Sequence, residues 1–459
     1  MDLLQIRQEN RSALAVLAGA SLAGPFRGAV VRHWRTAPPA RSGPAGDENR
    51  ARTEIDLAME GAPSEIAAGL DLLGRLLEEA ARSAATPGGN RVYLEARATA
   101  EEATWRSLIV GGWVEPLGTG PAQRRTGSQG ARLVLERGDW WEETALRELP
   151  LRAGAASPLT GGVTLTNHSD SPAHRNSVTC AAGDALGQMP APVFLVVEGA
   201  TLNNTGWLWA GQAVGPEPFT PLEDRDGTAG PGVTATVTAD ASASGGFYTR
   251  LSWNGTGEVT AWKADLPALV AGAYGGKAYL PVVRLHHPLA GAEQIWASWR
   301  LVVTWGGVGQ TVCAGAGAYL PVGKNHCAGL PVFLPPWPLA ESDMPPGLGL
   351  ELRVQAGSAG AHALDLDCLH LLPLARWRIY QPNGVSSYGG LRVWDDPYRG
   401  TVQAGAWAIQ MHQVEGPGLL VYPGETNRYF FLVESAAGGF AAGAAFTVRM
   451  FYRPRKRSV

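Results

Sequence analysis

The stretch Leu364-Asp365-Leu366-Asp367-Cys368-Leu369-His370-Leu371-Leu372 alternates apolar residues with aspartate over its first half, then becomes almost wholly apolar. Successive side chains of a strand point to opposite faces. Leu364, Leu366 and Cys368 therefore share one side, and Asp365 and Asp367 the other. The pattern predicts a strand with one face in a core and one toward solvent. Upstream, short apolar runs recur at 193–198, 247–253, 279–285, 299–305 and 349–354, each closed by Gly, Pro or small polar residues. Short strands at that spacing predict a two-sheet sandwich or jelly roll over 163–374. Residues 220–244 are small, polar and Gly-rich, and read as a long exposed loop.

Toward the amino end, 151–162 is a linker-like run of Gly, Ala, Ser and Pro, which sets off a first domain over 1–150. There, 37–49 reads as a loop and 52–60 as a strand. Pro63 stands at a first helical position, and Glu65 lies where the helix dipole favours negative charge. Ile66, Leu70, Leu73 and Leu77 recur at helical spacing and predict a helix over 64–84, with Asp71, Arg75, Glu78 and Arg82 on its far face. Pro87-Gly88-Gly89-Asn90 ends it, and 91–98 resumes as a strand. A single amphipathic helix buries its stripe only against a sheet, here supplied by 91–98, the region of Trp105, Ile109 and Trp113, and 131–136. Beyond 374, strands are expected near 391–394, 407–413, 428–434 and 446–452. The last two read as a hairpin around 435–445. This segment, 376–459, is expected to pack on the first domain or on neighbouring subunits. The fold class is thus mainly β: a β-sandwich with one flanking helix, a central jelly-roll-like sandwich and a C-terminal β segment.

Composition narrows function. Gly and Pro number 59 and 33 in 459 residues, which favours many turns and short strands over long helices. Charged residues are only 17% and the net charge is −3, so no basic field suits nucleic acid. The cluster Arg453, Arg455, Lys456 and Arg457 reads as a solvated end or subunit contact. No run reaches the roughly 18 apolar residues of a membrane span. The apolar run 12–24 follows Asp2 and Glu9 and reads as part of the fold rather than a leader.

Motifs for catalysis are missing: no nucleophile elbow, zincin, phosphate loop or dinucleotide fingerprint appears. Glu223-Asp224-Arg225-Asp226-Gly227 approaches a calcium loop but lacks the downstream bidentate Glu, and reads as a solvated turn. His286 and His287, taken as strand neighbours, face opposite ways and share no ion. His326, Cys313 and Cys327 lack zinc spacing. Cys313 and Cys327 are close enough in sequence for a hairpin to bring them together, but read as buried thiols. Asp365, Asp367 or Glu351 are the carboxylates a glycoside hydrolase would use, yet Asp365 and Asp367 read as a solvated face. The expectation is no enzyme, no metal and no cofactor.

The tryptophans remain. Of 16, seven lie between 207 and 305. They serve core and interface packing or stack on sugar rings. Trp207 and Trp209 share a strand face and, with Trp253, are the candidate glycan-stacking residues.

Three stretches carry a resemblance. The first is RTEIDLAMEGAPSEIAAGLDLLGRLLEEA (52–80) with NRVYLEARATAEEATWRSLIVGGWVEPLG (90–118) and ARLVLERGDWWEE (131–143). The second is NSVTCAAGDALGQMPAPVFLVVEG (176–199). The third is the carboxyl end, with Pro423-Gly424, Asn427-Arg428 and 451–455. Together they resemble distal and minor tail proteins of phages and prophages. The resemblance implies a virion location in the phage tail, and a tail-tube-like sandwich with one helix. It also implies ring-shaped homo-oligomers joined through sheet edges, and neighbours such as the tail tube, tape measure and hub. Finally, it implies an outward sandwich like a carbohydrate-binding module that meets a host surface glycan.

Overall fold

The computed structural model describes residues 2–9, 13–19, 26, 30–40, 50–86, 88–117, 128–154, 157–166, 176–200, 205–215, 217, 222–266, 277–290, 294–305, 308–314, 317–320, 322, 326–328, 332–334, 347–373, 376–381, 390–404, 407–408, 414–435 and 444–458. The chain is mainly β, built on three separate hydrophobic cores.

The first core belongs to an antiparallel sheet. Its strands run in the order Ala13–Gly19, Leu3–Gln8, Val92–Arg97, Trp105–Leu117, Ser128–Gly138, Arg50–Glu60 and Val30–Ala40. The two end strands come back into contact, so the sheet curls. Among the described residues the one α-helix, Pro63–Ala84, packs on Trp105–Leu117 and Val92–Arg97. It buries Ile66, Leu73, Leu76, Leu77 and Ala80, with Leu70 only partly covered. The Glu65 carboxylate accepts the Ala62 N–H at 3.1 Å, and Arg91 donates to the Ala84 carbonyl at 2.8 Å, so each helix end gains a side-chain partner.

The other two cores lie in two jelly rolls, one inside the other. The outer roll takes its eight principal strands, in chain order, from Val163–Thr166, Ser177–Cys180, Phe194–Gly199, Thr205–Val214, Trp377–Tyr380, Leu391–Asp396, Asn427–Ser435 and Ala445–Tyr452. Numbered so, they pair 1-8-3-6 in one sheet and 2-7-4-5 in the other. That interleaved pattern is a jelly roll of two Greek keys. The inner roll fills the connection between strands four and five of the outer one. Its strands are Phe247–Asn254, Val259–Leu266, Lys277–Leu285, Ile295–Trp305, Val308–Ala314, His326–Ala328, Gly347–Ala356 and Ala361–Pro373, and they repeat the same 1-8-3-6 and 2-7-4-5 order.

This arrangement corrects the division read from sequence. Residues 163–374 are not one sandwich: 163–214 pairs with 377–452, as in Val163↔Val448 and Leu195↔Met450. Nor is 376–459 a separate segment: its strands complete the outer roll, while Arg455–Lys456 pairs with Trp141–Glu143 and Phe451–Tyr452 with Arg147–Glu148 of the first domain. The expected terminal hairpin is absent, because Asn427–Ser435 and Ala445–Tyr452 lie in opposite sheets. Local periodicity reports which face of a strand is buried but not its partner, which here stands hundreds of residues away.

The three units are joined by polar contacts. Glu142, paired with Arg106 at 3.0 Å within the first domain's sheet, also meets Arg455 of the C-terminal end at 3.5 Å, and Arg449 pairs with Glu148 at 3.0 Å. At the neck of the insertion Arg376 and Glu217 form a buried ion pair, and the Glu217 carboxylate also accepts the Val214 N–H at 2.8 Å. The chain leaves the outer roll at Glu217 and returns at Arg376, so this pair holds both crossings.

Candidate functional site: the outer faces of the inserted jelly roll

Residues 220–244, expected as an exposed loop, are described from 222 on: they add short strands to the 1-8-3-6 sheet of the inner roll, with Thr234–Ala239 largely exposed and Asp224 and Ser244 buried. Leu222–Glu223 pairs with the last strand, and Thr234–Ala239 with the first. Asp224 is anchored from both ends. Its carbonyl accepts the Trp262 indole N–H at 2.9 Å, and its carboxylate accepts the Thr249 hydroxyl at 2.6 Å.

Under this cover, residues far apart in the sequence converge. Asp365 and Asp367 do face outward from the core, as alternation predicts, but Asp367 is 0% exposed. Its carboxylate lies 3.0 Å from Arg284 and accepts the Ser244 N–H at 2.7 Å. Burial nevertheless pushes this carboxyl up to about 7, against the pull of Arg284 and Ser244. Ser244 donates its hydroxyl to Glu223 at 2.9 Å, and Arg284 donates to the Ser242 carbonyl at 3.3 Å. His286 meets Asp240 at 3.1 Å and stacks on Tyr248 with ring centres 4.3 Å apart. Burial holds this imidazole below its usual range, while Ser242's N–H and hydroxyl hold Asp240 down to about 2. Outermost, His287 meets Asp365 at 2.8 Å, with Arg250 3.8 Å from the same carboxylate.

Two readings change here. His286 and His287 do not point to opposite faces: their rings meet at 4.5 Å, and both touch Tyr248. The strand ends at Leu285, so strand alternation no longer governs them. Glu223 to Gly227 is a solvated turn only in part: Arg225 and Asp226 are exposed, but Asp224 is buried. Among the described residues no group of three or more His, Cys, Asp or Glu is placed to hold a metal ion. Chemically the cluster is a latch. It fixes 222–246 to the sheet through proton-sensitive groups, and its central carboxylate is sealed from solvent.

The opposite sheet, 2-7-4-5, shows a different outer face. On Ile295–Trp305 the residues Ile295, Ala297, Trp299 and Leu301 are buried, while Trp296 is 37% exposed. Tyr319, its cross-strand neighbour, is 60% exposed, and the two rings meet edge to face with centres 5.0 Å apart. A Cβ at Gly317 would fall on the Nε1 edge of the Trp296 indole, so only glycine there lets the ring approach this closely. Beside it, Arg300 and Arg353 share Glu258 at 2.7 and 3.0 Å, and Arg353 also lies 3.7 Å from Glu351.

The tryptophans named from sequence stand elsewhere. Trp253 is 2% exposed in the inner core, and Trp209 is 8% exposed on a strand that contacts the inner roll's last strand. Neither offers a ring face to a sugar. The side chains of Trp207, Cys313 and Cys327 lie outside the described residues. The backbone strands of the two cysteines belong to opposite sheets. Trp296 was legible: it alternates with Ser298 and Arg300 against an apolar partner face, which predicts an outward ring.

A groove of about 740 Å³ lies in the first domain between the helix and Trp105–Leu117, bordered by Leu70, Arg75, Glu78, Trp113 and Pro116. Trp113 is held there by Arg52, 5.0 Å over its ring, and donates its indole N–H to Glu115 at 2.7 Å.

No family model matches this chain, and no curated protein matches it. Among solved structures it is similar to an exo-β-1,3-galactanase from Phanerochaete chrysosporium crystallised with β-1,3-galactotriose. There the identity is 10%, with 78% of this chain and 86% of that chain covered, at a TM-score of 0.21. It is also similar to the infectious bursal disease virus VP2 subviral particle, at 12% identity, 68% and 81% coverage and a TM-score of 0.17. The T=1 particle derived from infectious bursal virus matches at 11% identity, 68% and 78% coverage and a TM-score of 0.17. Likenesses this loose say nothing about function.

Proposed function

We propose that this chain is a non-enzymatic structural protein of a virion that assembles with copies of itself and carries its inserted jelly roll outward as an arm. The finer reading is a distal or minor component of a bacteriophage tail, forming a ring and adjoining tail tube, tape measure and hub proteins. The observation that supports it is the nesting itself. One jelly roll sits within the connection of another, clamped at the neck by Glu217 and Arg376 and tied to a curled-sheet base through Trp141–Glu143. A rigid stack of this kind suits a load-bearing subunit. Jelly rolls are used for viral coats and for lectins, and that step is analogy at the level of fold. The exposed Trp296 and Tyr319 favour a second reading, a glycan-binding adhesin on a virion or cell surface, which is compatible with the first.

The test is the mass of the purified protein in solution, followed by negative-stain electron microscopy. Rings or tubes of defined symmetry are expected, alone or on addition of a tail partner. A monomer that stays monomeric with every tail protein offered would overturn the assembly reading.

A further inference from the structure

We infer that Trp296 and Tyr319 form a binding platform for a neutral sugar on the outer face of the inner roll's 2-7-4-5 sheet. The platform follows from the chemistry of that face and rests on the outward-arm reading. Two aromatic rings are left open at one end of a sheet that is largely polar on this side. Hydrophobic area of two rings is far below the roughly 800 Å² per partner of a stable protein interface. It matches a pyranose, which offers a patch of C–H groups on one face and hydroxyls around its rim. The ring geometry is set in advance: Gly317 admits the indole against the backbone, and Tyr319 meets it edge to face. Preorganised rings lose little rotamer freedom on binding.

Polar neighbours complete the fit. Gln355 is the cross-strand partner of Trp296 on the side away from Tyr319, and Ser298 follows two positions along on the same face. Cross-strand pairs share a sheet face, so both uncharged groups border the rings. The charges farther along, Arg300, Arg353, Glu258 and Glu351 with Lys263 and Asp265 beyond them, are paired among themselves. A face whose charges cancel selects a neutral hexose over a sialylated, uronic or phosphorylated one.

The experiment is affinity electrophoresis of the full-length protein through native gels containing dextran, laminarin, galactomannan or hydroxyethyl cellulose. Retardation is expected in at least one gel. It should weaken at least tenfold in Trp296→Ala and in Tyr319→Ala, and persist in Tyr319→Phe, which keeps the ring. Trp394→Ala, which removes an exposed tryptophan of the outer roll, serves as the control that leaves retardation unchanged. Circular dichroism melts confirm that each variant is folded, and Trp296→Phe provides a milder second variant, expected to bind at intermediate strength. No retardation by any of the four polymers, or retardation indifferent to Trp296→Ala, overturns the platform. Either failure leaves the assembly reading to be judged separately by particle mass and imaging.

Discussion

The two jelly rolls share one strand order but place their polar residues differently. In the outer roll the buried polar groups are amides that satisfy one another and carboxylates each paired with an arginine, Asp395 with Arg378 and Glu217 with Arg376. Gln212 donates to the Leu420 carbonyl and accepts its N–H, and Asn427 donates to the carbonyls of Tyr422 and Glu425 while accepting the Tyr422 N–H. Neutral groups with every partner in place rigidify without depending on pH. In the inner roll most of the buried polar groups are ionisable: Asp367 and Arg284 are sealed where Ser244 meets the sheet, with Glu223 and His286 half-buried beside them. The same topology therefore carries amides and arginine-paired carboxylates in one case and, in the other, a sealed carboxyl that burial pushes up to about 7. Strand order alone does not set how a jelly roll behaves; what lies on the outer faces does.

Three measurements bear on this contrast. The largest effect is expected in the outer core. Phe431, fully buried and 6.4 Å from Phe446 between ring centres, is the test. Phe431→Ala should cost roughly 3–5 kcal/mol. Because the two rolls have separate cores, chemical denaturation should show the outer roll's transition moving and the inner roll's midpoint staying in place. Equal movement of both would mean the rolls unfold as one unit and the contrast is lost.

A somewhat smaller effect is expected at the neck. Glu217→Gln leaves the Arg376 guanidinium buried without its carboxylate, which should cost about 3 kcal/mol. Hydrogen exchange should rise at 205–214 and 376–381 while the interior strands of the inner roll remain protected. Unchanged exchange at the neck would show that the inner roll is held by its packing against Thr205–Val214 instead.

The smallest effect concerns pH. Asp367 has a folded-state pKa of about 7 against an ordinary 3.8, so between those values the folded chain holds a proton that the unfolded chain has released. Its contribution to stability is therefore fully present below about 4 and lost as pH rises through 7. His286 acts oppositely: its lowered pKa gives stability above its ordinary 6.5 that is lost as pH falls. Thermal melts of the wild type and Asp367→Asn between pH 4.5 and 8 separate the two. The wild type's advantage over the variant should narrow steadily as pH rises. A constant gap would mean that Asp367 stays ionised throughout and that the latch does not respond to protons in this range.

The helix and most strand positions are readable in the sequence. Ile66, Leu73 and Leu77 mark a helical stripe, and the alternation at Leu364 to Cys368 marks a buried face; both are local consequences of backbone geometry. The candidate site is readable only in pieces. Asp365, Asp367, His286, Glu223 and Asp224 each stand out, but their meeting depends on 222–246 crossing the sheet, and a small polar segment gives no sign of what it will cover. Density of tryptophan points to Trp207, Trp209 and Trp253 for glycan stacking. The better sign is the company each keeps, since Trp296 shares its face with Ser298 and Arg300.

The class of this protein is written in the chain itself: many short antiparallel strands, one amphipathic helix, and little charge. Those properties follow from φ/ψ preferences, side-chain period and composition, which act over a few residues. Tertiary structure alone settles that there are two jelly rolls, that one interrupts the other, and that Glu217 and Arg376 close the neck. Those facts rest on pairings such as Val163 with Val448, between residues whose meeting is set by the packing of whole sheets rather than by anything adjacent in the chain.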